Sequence, residues 1–232
     1  METKNLLNHE SPRMEAFRLL SACYILPDTG MPDTLDNLQG HLANTSEPAT
    51  KCLRRMRREI ENDANFEALK IDFAKLFVGP YKLLAAPYGS VYLDSERTMM
   101  GDSTFDVKTR YREAGLDTAK DFKEAPDHIT AELEFMYYLI FKEIEAFSNS
   151  DIETAIGFIR KQKSFLEDHL MRWVPEFAAN IIEHAETAFY QNLAKATETF
   201  LKENHALVCS ALDSISMRLS SEKHIEINSL RV

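Results

Sequence analysis

The stretch DFKEAPDHITAELEFMYYLIFKEIEAF, Asp121 to Phe147, decides how the rest of the chain reads. Ile129, Leu133, Met136, Ile140, Ile144 and Phe147 recur at intervals of three and four, which puts them on one stripe of an α-helix. Phe135, Leu139 and Phe141 widen that stripe, so the helix is expected to be central and covered on most sides. Pro126 suits a first helical turn, where its missing N–H is no loss, and Asp127 suits the positive end of the helix dipole. The pattern therefore predicts a buried helix with an ionisable pair, Asp127 and His128, at its mouth. A plainly capped core helix accounts for the same spacing.

Outward from this helix the chain keeps helical punctuation. Ser11-Pro12 reads as a start, with a face through Met14, Phe17, Leu20 and Tyr24 to Leu26, stopped by Pro27-Asp28. A short helix is expected from Pro32 to Leu42, and Glu47-Pro48 opens another. Its cluster of Lys51, Arg54, Arg55, Arg57 and Arg58 reads as a solvated face. Phe66, Leu69, Phe73, Leu76 and Phe77 mark a fourth helix, ended by Gly79-Pro80. The stretch 81–98 reads as an ordered loop that must pack on something, because it is rich in aromatic and apolar residues. A helix from Ser103 to Ala114 with Gly115 beyond its end comes next, then a link, 116–126, that could serve as a hinge. After Phe147, one helix is expected over Ile152 to Leu170, a joint at Trp173-Val174-Pro175, a helix to about Cys209, and a loosely attached tail over 210–232 carrying one more short helix.

This is an all-α pattern, read as a single globular domain spanning 1–232 with about eight to ten helices. The 232 residues are 44% hydrophobic and 28% charged, contain only seven glycines, and show no segment of strand period. The formal net charge of −10 argues against a nucleic-acid surface, which needs clustered Lys and Arg. Cys23, Cys52 and Cys209 stand far apart, without CxxC or zinc-finger spacing, as in a reducing compartment. No secretory leader or membrane-spanning run is visible, so a cytoplasmic location is expected.

Catalytic motifs are scarce. There is no GxxxxGK[ST] phosphate loop and no GxG. None of the seven histidines has Glu three residues before it, as a di-iron bundle requires. His128 and Glu132 stand at i and i+4 and could share a metal, which keeps a metal-dependent hydrolase as an alternative. What stands out instead is an apolar-aromatic groove candidate, Phe73, Leu76, Phe77, Pro87, Tyr88 and Val91, with Asp94, Glu96, Asp121, Glu124 and Asp127 close in sequence. On spacing alone an ordinary core is the favoured explanation of the Phe73–Phe77 stripe. A helical adaptor for a folded partner is the third reading.

Five segments in order, FAKLFVGP (73–80), PYGSVYLD (87–94), MGDST…YREAGL (100–116), EAPDHITAELEFM (124–136) and HLMRWVPEF (169–177), resemble the TorD/DmsD/NarJ group of redox-enzyme maturation chaperones. The resemblance implies an all-α fold, no catalytic residues, no metal and no cofactor. It implies binding of the twin-arginine leader of a molybdopterin-dependent oxidoreductase precursor, which is held until its cofactor is inserted, with export delayed meanwhile. By residue match the leader-binding candidates are Phe73, Leu76, Phe77, Pro87, Tyr88, Ser90, Val91, Asp127 and His128, with Asp94 and Glu124 as further acidic contacts. Two positions depart from the family: Phe73 stands where many members have Trp, and Gly89 where many have Glu. The second departure could pass an arginine contact to Asp94 or Asp127. The resemblance also implies a monomer or a domain-swapped homodimer.

Overall fold

Two antiparallel helix pairings carry the core: α1 (Glu2–Ala22) on α7 (Ile129–Ser148), and α3 (Glu47–Ile60) on α10 (Ala188–Ser229). The computed structural model describes residues 2–43, 45–61, 66–79, 83–95, 99–116 and 124–229, with side chains from Glu10 to Met217. Within these lie α2 (Met31–Leu42), α4 (Glu67–Phe73) running into a π turn (Ala74–Val78), α5 (Ser90–Leu93), α6 (Asp102–Glu113), α8 (Ile152–Phe165), a second π turn (Leu166–Leu170) and α9 (Met171–His184). Ten α-helical segments are thus present among the described residues, one of them a single turn. The only strand-like pairing among them is an isolated bridge between Tyr88 and His128. The expected all-α architecture is the one observed.

The central helix behaves as its spacing requires. Ile129, Leu133, Met136, Leu139 and Ile140 are fully buried, and one contiguous core reaches from Ala16 to Val208. Phe141 does not widen the stripe; it is 43% exposed. His128 is the N-cap: its Nδ1 accepts from the Thr130 backbone N–H at 3.2 Å, and Pro126 lies in the turn before. An N-cap acceptor satisfies one of the orphan N–H groups of the first turn.

Three boundaries differ from expectation. Pro12 lies inside α1 rather than at its start. Proline removes one ladder hydrogen bond, and the preceding turn is secured otherwise. Arg13 Nε donates to Glu10 Oε2 at 2.7 Å, while its Nη2 reaches Gln162 Oε1 at 2.8 Å and Glu143 Oε2 at 3.2 Å. Trp173-Val174-Pro175 is no joint either, since α9 continues through Pro175. The preceding π turn has already interrupted the i→i−4 ladder, so the missing N–H costs little there.

The break comes later, between α9 and α10, where Asp72 takes the backbone N–H of Glu186 (3.2 Å) and Thr187 (2.9 Å) and the Thr187 hydroxyl (2.6 Å). Glu59 Oε1 accepts from Ala188 N at 3.0 Å. Two acids remote in sequence thus cap α10, at the end where negative charge is favoured. That helix then runs without a break to Ser229, where a separate short tail helix was expected. Leu212 and Ile215 still pack against the core. Most of the segment read as a hinge, 117–123, lies outside the described residues.

Candidate functional site

The loop 87–90 is stitched onto the mouth of α7. Ile129 N donates to Pro87 O at 2.8 Å, Gly89 N donates to Asp127 O at 2.9 Å, and Ser90 N donates to Asp127 Oδ2 at 2.7 Å. These bonds set Tyr88 beside His128, with ring centroids 5.1 Å apart. The Tyr88 hydroxyl donates to Glu124 Oε2 at 2.7 Å. Burial first, and then this carboxylate, push the Tyr88 hydroxyl above the usual tyrosine range. Burial likewise holds His128 below the ordinary histidine value, with Glu124 and Asp127 opposing. His128 is therefore neutral at pH 7, as a cap that must accept a hydrogen bond requires.

The other half is built on α4 and its π turn. Phe73 is half-buried, and its ring meets Phe77 edge-on at 5.2 Å. The π turn ends at Gly79, whose N–H closes on Ala74 O at 2.7 Å. Gly79 has φ 51, a conformation open to glycine at little steric cost. Ile71 and Val78, off the buried stripe, are 54% and 61% exposed.

The two halves are joined by rings. Phe77 lies 6.0 Å from Phe177, Phe177 lies 5.3 Å from Trp173 and 6.3 Å from Tyr92, and Tyr92 stacks on Trp173 at 5.6 Å. Trp173 in turn abuts Gly89: a Cβ at that position would sit 3.1 Å from Trp173 Nε1 and 3.2 Å from Glu132 Oε1. Glu132 is fully buried and accepts from Trp173 Nε1 at 2.9 Å. Its burial raises the carboxyl well above the usual range, with the Trp173 hydrogen bond opposing. A carboxyl from α7 thus fills the space beside Gly89.

Of the residues named from sequence, Phe73, Tyr88 and Val91 are half-buried with edges at the surface, and His128 and Phe77 are 9% and 7% exposed. Leu76, Pro87, Ser90 and Asp127 are buried. Asp127 is thereby corrected from a surface acid to a fully enclosed one whose Oδ2 is spent on Ser90. Asp94 is also committed: its carboxylate accepts from the Ser103 hydroxyl at 2.7 Å and from Ser103 N at 3.2 Å, near the start of α6. Asp127 is closed to an incoming arginine, whereas Asp94 is half-buried with its carboxylate already engaged by Ser103. Glu124 is exposed, and Glu96 and Asp121 lie outside the described residues.

The hydrolase alternative loses its metal pair, because Glu132 faces Trp173 while His128 Nδ1 faces Thr130 Oγ1 at 2.7 Å. Sequence reasoning did not single out Tyr92, Trp173 and Phe177 as site residues, although all three lie inside the quoted motifs. A cleft of about 370 Å³ on another part of the molecule is lined by Asp106, Arg110, Phe135, Lys161 and Phe165 among others, and by none of the named candidates. No described helix is long and apolar enough to cross a membrane.

Known proteins match this chain. Residues 33–179 match the family model described as nitrate reductase delta subunit. The chaperone protein TorD of Vibrio parahaemolyticus is 30% identical over 150 residues, covering 65% of this chain and 68% of that one. The Tat proofreading chaperone DmsD of Salmonella typhi is 31% identical over 137 residues, covering 59% and 60%. Several curated relatives are thus matched over less than two thirds of their length, among them TorD of Aliivibrio fischeri at 63%. In fold, the chain is similar to a crystal structure described as a redox enzyme maturation protein from Archaeoglobus fulgidus, with TM-score 0.51, 22% identity, and coverage of 82% of this chain and 93% of that one. These relatives are named as chaperones and not as catalysts. The family model spans well over half of the residues, so the chain belongs to the nitrate reductase delta subunit family, the TorD/NarJ group of redox-enzyme maturation chaperones.

Proposed function

We propose that this protein is a cytoplasmic chaperone that binds the twin-arginine leader of a molybdopterin-dependent oxidoreductase precursor. It would hold the apo-enzyme until the cofactor is inserted and delay export until then. The observation that supports the reading is that Phe73, Tyr88 and Val91 are partly exposed on two elements joined through the rings of Phe77, Phe177, Trp173 and Tyr92. Rigid aromatic anchors give large contact area at little entropic cost, which suits capture of a disordered peptide.

The energetics assign unequal roles. Ordering a peptide costs about 2–5 kcal/mol. Each 100 Å² of apolar leader surface removed from water contributes about 2.5 kcal/mol at ~25 cal/mol per Å². An exposed arginine–carboxylate pair adds only about 0–1 kcal/mol. The apolar segment of the leader therefore supplies most of the affinity, and Glu124 sets register and association rate.

Titration calorimetry of the full chain with a synthetic leader, at low and high salt, tests this. Phe73→Ala should weaken binding by about 1 kcal/mol or more. Glu124→Gln should weaken it less, and mainly at low salt. Equal affinity for leaders with and without the apolar segment would overturn the assignment. Phe77→Ala is a poorer probe, because a buried ring removed costs about 3–5 kcal/mol of stability and confounds the reading.

A further inference from the structure

His205 and Cys209 lie one turn apart on α10 and face the π turn between α8 and α9. Glu167, second residue of that turn, meets them: Glu167 Oε1 is 2.8 Å from His205 Nε2, and Cys209 Sγ is 3.5 Å from the same nitrogen. One donor atom from each of the three residues falls within 4.8 Å of the other two. A π turn widens the helix by one residue, and such turns recur at functional sites. Here the turn faces α10 with an acid that closes the triangle.

We propose that Glu167, His205 and Cys209 form a binding site for a single divalent ion of the zinc class, with water in the fourth position. The donor set, one imidazole, one thiol and one carboxylate, suits a borderline-soft ion and disfavours calcium or magnesium, which take oxygen ligands. Zinc bonds of about 2.0–2.1 Å to nitrogen, 2.0–2.2 Å to oxygen and 2.3 Å to sulfur put tetrahedral donors about 3.4 Å (N to O) and 3.6 Å (N to S) apart. The nitrogen–sulfur separation already matches, and the nitrogen–oxygen pair must open by about 0.6 Å by this geometry.

Binding takes the proton from the Cys209 thiol, so a thiolate, a carboxylate and a neutral imidazole balance the two charges of the ion. Lys163 Nζ contacts both Glu167 oxygens at 2.6 Å. It can retain Oε2 while Oε1 turns to the metal, and so orient the ligand as outer partners do. The adjacent Asp168 is turned away, to Arg110 at 2.9 Å and Ser164 at 2.8 Å. The ion would tie the α8–α9 turn to α10 across about forty residues of chain.

The test uses the reduced, metal-stripped full chain. Cobalt(II) titration should give a thiolate charge-transfer band at one equivalent, displaced by zinc(II). Cys209→Ser and His205→Ala should abolish the band and weaken zinc binding by more than about tenfold. Glu167→Gln should weaken it, and Cys52→Ser should leave it unchanged. Zinc should raise the melting temperature of wild type but not of Cys209→Ser, which circular dichroism checks for intact helix. Absence of a one-to-one complex in wild type, or a band that survives Cys209→Ser, would overturn the proposal.

Discussion

Asp127→Ala separates a structural role for this carboxylate from a role in gripping arginine. Asp127 is fully buried, and Oδ2 accepts from the equally buried Ser90 N–H at 2.7 Å. Truncation leaves that N–H without an acceptor in a place water does not reach, which costs about 1–3 kcal/mol. Asp127→Asn keeps an acceptor for Ser90 but places an amide N–H₂ where Oδ1 has no partner among the described residues. It should cost about 1 kcal/mol.

Urea unfolding followed by the fluorescence of Trp173, the sole tryptophan and a buried one, measures both variants. A domain stable by about 5–15 kcal/mol stays almost wholly folded after such losses, so leader affinity can be measured cleanly on the same samples. We expect reduced stability with alanine worse than asparagine, and leader affinity with an unchanged salt dependence. Unchanged stability together with a salt-dependent loss of leader affinity in Asp127→Asn would refute the reasoning and return Asp127 to the binding surface.

Three more predictions follow from buried polar groups and close packing. Arg13→Ala leaves Glu143 and Glu10 enclosed without their cation, and should destabilise by about 3–5 kcal/mol in chemical denaturation. Gly89→Ala drives a methyl against Trp173 Nε1 and Glu132 Oε1, and should cost about 1–3 kcal/mol and shift the Trp173 emission. His128 has its folded pKa below the unfolded value of about 6.5, so the unfolded chain takes up the proton first and the histidine's contribution is lost as pH falls below that value. Glu143, raised to about 7 chiefly by burial, acts oppositely, losing its contribution as pH rises from 4.5 towards 7. The urea midpoint of His128→Gln relative to wild type, compared at about pH 7.5 and 5.5, isolates the histidine: the gap should narrow in acid.

Periodicity alone determined a good deal. The stripe from Ile129 to Ile140, the ends of α2 and α3, and Gly115 at φ 86 beyond α6 are local matters of spacing and backbone preference, and the chain carries them openly. The motifs around Phe73, Pro87 and Asp127 identified the family for the same reason, being contiguous runs. What tertiary structure decided is where long-range polar bonds go. Asp72 and Glu59 cap a helix more than a hundred residues away, Glu132 occupies the space beside Gly89, and Asp127 faces inward to Ser90. A carboxylate reads the same in sequence whether it meets water or a buried N–H. Only the packing around it, by setting the cost of leaving either group unpaired, determines which.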